Sequence, residues 1–520
     1  MSWTIVKAVV GGASDRFRKR CQQASMVQAE QLNAILEQAR PAPFAQAMGL
    51  GSVDGIQGFQ QCCPIQDYEG FRPWVEEMLR DGVNRLTADA VVAFEETSGS
   101  RSAAKAIPIT ARGLEAIQRA LFPWIDDLYH HYPEITQGCC YWAISPAGRS
   151  ERTTEGGHPV GMPDDTRYFG TELARAFGGL SAVSQHIACT DDIDQWRIQA
   201  LAQLIEARDL SFMSIWSPRF ITALLDYCET EAGRVRENVV SIERRRAFDR
   251  ALVQGRLQAD LLWPQLALIS SWTGASAAHH VAELQSRFPQ AAIQGKGLMA
   301  TEGVITIPMA DLPAPVLAIE SGFYEFLDDQ GKCRLCHELE VGGEYQVLMS
   351  TYGGLFRYMI GDRVRVIGYE GEAPLLRLLG RGTVTSDLCG EKLTEAFIQE
   401  QLNGHAGFAL LVPVPQKTPH YRLYLDPAEA SPDEARAWAR SLEARLCANP
   451  QYAYARRLGQ LDPVRAWFLP QGNQRHEREL VVANRTRLSV IKLPVLAPEA
   501  DWIQRFSDAR PVNAGQSGVA

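Results

Sequence analysis

The chain has 520 residues, 46% of them apolar and 22% charged, with 61 acidic against 52 basic side chains and a formal net charge of -9. That composition excludes wholesale disorder, and the acidity excludes a broad surface for nucleic acid or anionic membrane while leaving room for a local anion site. The length implies more than one structural unit, and no uninterrupted apolar run approaches the roughly 18–20 residues of a membrane span.

The eleven cysteines are an odd number and include the adjacent pairs Cys62-Cys63 and Cys139-Cys140. They are poor material for a disulfide framework and indicate reduced thiols in a cytoplasmic protein. The start, Met1-Ser2-Trp3-Thr4-Ile5-Val6-Lys7, lacks the charged region, apolar core and cleavage site of a signal peptide. Residues 22–39 carry Met26, Ala29, Leu32, Ile35 and Leu36 at helical spacing. A short apolar strand, Ala90-Val91-Val92-Ala93-Phe94, runs through Glu95-Glu96 into the turn-rich Thr97-Ser98-Gly99-Ser100-Arg101-Ser102. A second extended segment, 105–109, leads into a helix over 111–130.

Strand and helix then alternate, with a buried strand at 211–216, a helix at 219–230, a strand at 266–270 and a helix at 279–288. This alternation predicts an α/β architecture with substantial parallel sheet. From 305 to 366 strands dominate, with Gly342-Gly343 and Gly353-Gly354 as turns. The pattern changes near Gly380-Arg381-Gly382; a helix start at Glu391-Lys392-Leu393-Thr394-Glu395, a strand at 408–412 and a helix at 431–447 follow. Ser431-Pro432-Asp433-Glu434 carries the signals of a helix N-terminus. A boundary at about 383 gives a large domain, 1–383, and a small α/β domain, 384–520.

Four segments carry residues suited to chemistry. The hydroxyls and backbone amides of Thr97, Ser98, Gly99 and Ser100, with Lys105 nearby, can cradle phosphate oxygens. The same segment also reads as a plain turn between strands. A P-loop pattern is absent. In Gly297-Leu298-Met299-Ala300-Thr301-Glu302-Gly303, an acidic residue between Thr and Gly suits a metal or ligand contact at a strand edge, or is a solvated turn carboxylate. Gly295-x-Gly297-x-x-Ala300 matches a dinucleotide fingerprint only superficially, because no helix follows and Pro308 arrives quickly. In Gly361-Asp362 the carboxylate can accept from both hydroxyls of a ribose, or can cap a hairpin turn. Lys492, in Ser489-Val490-Ile491-Lys492-Leu493-Pro494, is a surface lysine or a catalytic cation. Cys333-x-x-Cys336 lacks a second pair at zinc spacing. His130-His131 and His279-His280 read as helix-surface residues rather than metal ligands.

Together and in this order, the four segments resemble the Gretchen Hagen 3 family of acyl-acid amido synthetases, within the adenylate-forming superfamily. The segment 209–220 (Asp-Leu-Ser-Phe-Met-Ser-Ile-Trp-Ser-Pro-Arg-Phe), the segment 262–272, and 342–351 before Gly354-Leu355-Phe356-Arg357-Tyr358 extend the resemblance, which covers roughly 20–500. The looser motifs resemble a bacterial member more than a plant hormone enzyme.

The resemblance implies a large N-terminal adenylate-forming domain with mixed sheets and helices, and a small mobile C-terminal domain. It implies a two-step ligase reaction. A carboxylic acid reacts with ATP to give an acyl-adenylate and pyrophosphate, and an amine or amino acid then forms the amide and releases AMP. ATP and magnesium (Mg2+) would be required. Thr97, Ser98, Gly99, Ser100 and Lys105 would hold phosphates, Ala300, Thr301 and Gly303 would border the nucleotide, and Glu302 would help hold magnesium. Asp362 would grip the ribose, Arg381 would sit at the hinge near the nucleotide, and Lys492 would stabilise the adenylation transition state. The phosphate loop departs from the family pattern S-S-G-T-S-x-G-x-x-K: it is one residue shorter, and Arg101 and Ser102-Ala103 replace its glycine-rich part.

The alternatives are an acyl-CoA ligase, another adenylate-forming ligase, or a nucleotide-binding protein without turnover. The carboxylic acid and the amine are not specified. The acyl pocket is expected between the 111–130 helix and the middle strands, where Trp142, Trp216 and Trp272 either line it or fill the core.

Overall fold

Leu210–Ser214 is buried along its whole length: it is a central strand with a parallel neighbour on each side, Cys139–Trp142 and Leu268–Ser271, and Phe212 and Met213, on opposite faces, pack into separate apolar clusters. A strand covered on both faces shows no alternation of apolar and charged side chains, and here even Ser211 and Ser214 are buried. Ala292–Gly295 adds in parallel beyond Leu268–Ser271 and completes a four-stranded sheet. The computed structural model describes residues 2–96, 105–143, 152–162, 165–184, 186–187, 190, 192–274, 277, 280–381, 385–386, 388, 391, 393–416, 419–457, 461–484, 493–498 and 501–512.

Two compact units emerge: Met1–Thr273 with Glu283–Leu378, and Gly274–Ala282 with Leu379–Ala520. They part inside the strand Ala373–Arg381, whereas the expected boundary is 383. In the first unit parallel pairing is confined to a minority of the strands. The largest sheet has seven strands in the order Thr306–Ile307, Val316–Leu317, Ala373–Arg381, Tyr358–Glu370, Glu344–Ser350, Phe323–Leu327, Cys333–Leu335. Its described pairs are antiparallel.

A third sheet pairs Val91–Glu96 with Ala106–Thr110, and Glu96 opposite Ala106 brings the two ends of the 97–105 segment together. The helix Ala111–His131 follows at once. Thr110 caps it by accepting from the Gly113 amide at 3.1 Å, a contact typically worth about 1 kcal/mol. Its His130 and His131 are exposed as expected. His280, expected on a helix surface, is instead buried, and His279 lies outside the described residues.

The second unit carries the sheet Ala409–Val414, His420–Leu425, Arg465–Phe468, Arg510–Pro511 and the helix Pro432–Leu446. The predicted start of that helix is a capping box: the Ser431 amide donates to Glu434 at 2.8 Å, and the Glu434 amide donates back to Ser431 Oγ.

His476 is buried in this unit between Phe408 and Trp502, with ring centroids at 6.0 and 4.9 Å. Burial pushes its imidazole down to about 3. The unfolded chain takes up this proton near pH 6.5 and the folded chain does not. The stability is therefore fully present above 6.5 and falls as pH drops toward 3, by about 1.4 kcal/mol per pH unit. Urea unfolding of the wild type and of His476→Phe between pH 7.5 and 5 is expected to show a slope in the wild type that the variant lacks. Equal slopes would contradict this.

Candidate active site

Met299–Ala300 and Gly303–Val304 form a hairpin in which Ala300 pairs with Gly303, leaving Thr301 and Glu302 as a two-residue turn. The approach to it is tight, because a Cβ on Gly297 would lie 2.0 Å from the Thr306 carbonyl oxygen. Glycine lets these backbones meet, and the Leu298 amide then donates to Thr306 Oγ1 at 2.7 Å. Glu302 is half-buried, not a fully solvated turn carboxylate.

The Tyr358 hydroxyl donates to Glu302 Oε1 at 3.0 Å and accepts from Lys105 Nζ at 3.2 Å. One phenol thus joins two predicted site residues from distant parts of the chain. Tyr68 fixes the lysine end: its hydroxyl accepts from the Ala106 amide at 2.9 Å and donates to the Ala106 carbonyl at 3.1 Å. Burial pushes the Tyr68 phenol up, so it stays protonated. The Lys105 ammonium also lies 5.6 Å from the Tyr68 ring centroid and 5.8 Å from that of Tyr358, within cation–π range.

The other side of Tyr358 is fixed by Arg357, which has a left-handed backbone at φ 46°. Its buried guanidinium donates to Glu325 Oε2 at 2.9 Å, to the Cys63 carbonyl at 2.9 Å and to the Gln60 carbonyl at 3.1 Å. Burial, then Glu325, pushes the Cys333 thiol up to about 12. It remains a thiol and donates to Glu325 Oε1 at 3.2 Å.

Asp362 is not at a hairpin turn. It lies inside the strand Tyr358–Glu370 and is buried. In the pairing with Glu344–Ser350, Met359 faces Leu348 and Arg363 faces Gln346, so residues 360–362 oppose Val347 alone. This is a bulge, with Gly361 at φ 87°. Bulges bend a strand and re-aim a side chain, and they are common beside active sites.

Arg381 ends the strand Ala373–Arg381, and its side chain lies outside the described residues. Thr97, Ser98, Gly99, Ser100 and Lys492 also lie outside them. A different group, Asp127, His131 and Asp311, has metal-ligand spacing among the described residues. Arg18 is already paired with both aspartates there, which makes it a charge network.

Three family models match the chain: the GH3 family N-terminal domain over residues 13–293, the central domain over 315–381 and the C-terminal domain over 392–501. The chain belongs to the GH3 family. GH3.10 of Oryza sativa subsp. japonica, provisionally named as an indole-3-acetic acid-amido synthetase, is 24% identical, over 74% of this chain and 84% of its own length. The structure of the acyl acid amido synthetase AtGH3.15 in complex with 2,4-DB superposes with a TM-score of 0.83 at 17% identity, covering 96% of each chain. 2-Hydroxyisobutyryl-CoA ligase in its postadenylation state, in complex with 2-HIB-AMP, follows with a TM-score of 0.54 at 12% identity, covering 95% of this chain and 91% of its own. The fold is therefore the mixed α/β fold shared by GH3 proteins and an adenylate-forming ligase.

In this GH3 chain the central-domain match contains Tyr358, Asp362 and Arg381, while the Glu302 hairpin falls between the N-terminal and central matches. Tyr358 lies in the segment between Gly354 and Asp362. Nothing local distinguishes it, since its hydroxyl acts 253 residues from Lys105 and 56 from Glu302. Trp142 belongs to the core, with edge contacts to Phe169 and Phe177 at 5.0 Å and Phe212 at 5.6 Å. Trp216 and Trp272 are half-buried, their ring centroids 5.6 Å apart.

Proposed function

We propose that this protein is an ATP-dependent acyl-acid amido synthetase, a ligase that forms carbon–nitrogen bonds. The observation that carries this reading is the Lys105–Tyr358–Glu302 chain of hydrogen bonds, in a protein of the GH3 family. It holds a cation and a carboxylate on one phenol, beside the hairpin of Ala300, Thr301 and Gly303.

A carboxylate oxygen of the acyl acid attacks the α-phosphorus of ATP, the bond to the bridging oxygen breaks, and pyrophosphate leaves. An uncharged amine then attacks the activated carbonyl, loses its proton and expels AMP. Thr97, Ser98, Gly99, Ser100 and Lys105 would hold the phosphates, with Arg101 adding charge in the shortened loop. Asp362, aimed by its bulge, would take the ribose hydroxyls. Glu302 Oε1 is engaged by Tyr358, and a carboxylate has two oxygens and about four acceptor sites. Glu302 is thus suited to hold magnesium with phosphate oxygens and water, the ligand set this ion favours, and bound there it would offset phosphate charge.

The domain 1–383 would bind ATP and the acyl acid, and 384–520 would carry Lys492 and turn about a hinge near Arg381 between the two half-reactions. The partners would be small-molecule acids and amines or amino acids, with no nucleic acid or membrane. Among the described residues no helix is long and apolar enough to cross a membrane, and the described cysteines are free thiols. Both facts suit a cytoplasmic enzyme. The looser phosphate loop suits a bacterial source, and no hormone substrate is assigned.

Tyr358→Phe tests the carrying observation. The ring keeps its edge contact with Phe71 at 6.0 Å, while both hydroxyl bonds are lost. Hydrogen bonds to charged groups contribute about 1.5–3 kcal/mol, so KM for ATP is expected to rise roughly tenfold or more in pyrophosphate exchange, with the melting curve nearly unchanged. An unchanged KM would remove the triad from the nucleotide site. Product mass separates the nearest alternative: with ATP and a substrate acid, an amino-acid mixture should yield an amide and CoA alone no thioester.

A further inference from the structure

The strand Val91–Glu96 ends in two adjacent carboxylates, Glu95 and Glu96, the last residues before Thr97. Side chains alternate along a strand, so the two point to opposite faces of the sheet. Both reach the same stretch of chain. Glu96 Oε2 accepts from Arg152 Nη2 at 2.8 Å, a partly exposed pair of small worth. Glu95 is half-buried, and its Oε1 accepts from the Met162 amide at 2.5 Å and from the Tyr168 hydroxyl at 3.2 Å. The backbone reinforces this: Phe94 pairs in parallel with Val160, and the Gly161 amide donates to the Phe94 carbonyl at 2.7 Å.

The residues that Glu95 holds lead to the expected acyl side. Phe169, next to Tyr168, packs edge-on against Trp142 with ring centroids 5.0 Å apart, and Trp142 is the last residue of the parallel strand Cys139–Trp142. The short helix Asp165–Phe169 also packs against the helix Ala111–His131, and a Cβ on Gly170 would lie 3.1 Å from Gln118 Nε2 of that helix. In sheets of this kind ligands bind outside the carboxyl ends of the strands. One carboxylate oxygen therefore joins the strand that leads into the 97–105 segment to the chain at the carboxyl edge of the parallel sheet.

We propose that Glu95 is a positioning residue for adenylation. It ties Met162 and Tyr168, on the acyl side, to the strand on the nucleotide side, and so keeps the bound acid in register with the α-phosphorus. Misplaced reactants lose rate more than binding. The inference rests on the amido synthetase reading for the reaction, but not for the tether.

The test uses the full chain, as wild type, Glu95→Ala, Glu95→Gln, Tyr168→Phe, Glu95→Ala with Tyr168→Phe, and Arg152→Ala. Turnover is read by ATP–pyrophosphate exchange with the acid that wild type uses fastest, below the melting range of every variant. The tether is read without ligands, by the rate of limited trypsin cleavage after the exposed Arg167. Glu95→Ala is expected to lower kcat about tenfold or more, with KM for ATP and for the acid each within about threefold of wild type. It should also speed cleavage after Arg167 by about tenfold, since lost bonds to a carboxylate favour local opening. Glu95→Gln keeps an acceptor oxygen and should stay near wild type in both readouts. Tyr168→Phe should lose less than Glu95→Ala, and adding it to Glu95→Ala should cost nothing further, because its bond is already gone. Arg152→Ala should stay near wild type. An unchanged kcat in Glu95→Ala would overturn the inference. So would a glutamine variant as impaired as the alanine one, which would make Glu95 a charged group of the site, or an equal loss in Arg152→Ala, which would make the effect one of general attachment. Unchanged cleavage in Glu95→Ala would overturn the tether whatever the exchange rate does. Absence of exchange in wild type with every acid, together with faster cleavage in Glu95→Ala, would count against the amido synthetase reading and support the tether. Exchange in wild type with kcat and cleavage both unmoved by Glu95→Ala would do the reverse.

Discussion

Lys492→Ala is expected to lower carboxylate-dependent ATP–pyrophosphate exchange by about 10²–10³-fold, the usual cost of removing one preorganised donor from developing charge. The fold should survive, because the segment after this lysine is anchored independently. The Leu411 amide donates to the Val495 carbonyl at 2.8 Å, and the Ala497 amide donates to the Leu411 carbonyl at 3.0 Å. Val495 and Leu496 pack in the same cluster as Leu423, Leu442 and Tyr452. The loss should fall on the first half-reaction: supplied with preformed acyl-adenylate and amine, the variant should make amide at a rate near wild type. Full exchange activity in Lys492→Ala would return this residue to the surface-lysine reading.

The second large effect concerns stability. Arg357→Ala is expected to cost about 3–5 kcal/mol, because removing one partner strands a buried charge. Glu325 is 1% exposed and the Arg357 side chain 7%. Without the guanidinium, Glu325 keeps Gln60 Nε2 at 2.8 Å and the Cys333 thiol, neither of which is charged. The carbonyls of Gln60 and Cys63 lose their donor as well. The left-handed φ of 46° is not the cause, since alanine meets the same backbone strain that arginine does. A double replacement, Arg357→Met with Glu325→Leu, should recover much of the loss by removing both charges. Urea unfolding monitored on the first unit checks both variants. A midpoint within error of wild type for Arg357→Ala would contradict the buried-pair account. Because Tyr358 is the next residue, Arg357→Ala should also raise KM for ATP.

Local pattern made several elements legible. The segment Ser211-Phe212-Met213-Ser214-Ile215-Trp216 reads as a buried strand, and Leu210–Ser214 is that strand. Ser431 and Glu434 announced a helix start, and they form a capping box. These signals lie within a few residues, where backbone hydrogen bonding and side-chain period decide the outcome. Features set by pairing between distant segments were not legible. The bulge at 360–362 depends on the register against Glu344–Ser350, and a register cannot be read from one strand alone. The seven-stranded antiparallel sheet was hidden for the same reason, and alternation in the middle of the chain overstated the share of parallel pairing.

The candidate site divides in the same way. The motifs pointed to Lys105, Glu302 and Asp362, but the group that links the first two, Tyr358, is visible only after folding. Trp142 and Trp216 look alike in sequence, since each comes at the end of an apolar segment. Trp142 is the last residue of its strand and packs among Phe169, Phe177 and Phe212, whereas Trp216 lies two residues beyond the end of its strand and is half-buried.

The net charge of -9 means that a polyanionic substrate must be held by local donors and a cation rather than by the overall field. The most direct measurement is therefore ATP–pyrophosphate exchange across a panel of carboxylic acids with magnesium present, followed by amine trapping of each positive acid. Exchange should depend on a particular acid, fall in Tyr358→Phe and Lys492→Ala, and end in an amide and AMP when an amino acid is added. ATP binding without exchange for any acid, or a thioester as the sole product, would contradict this.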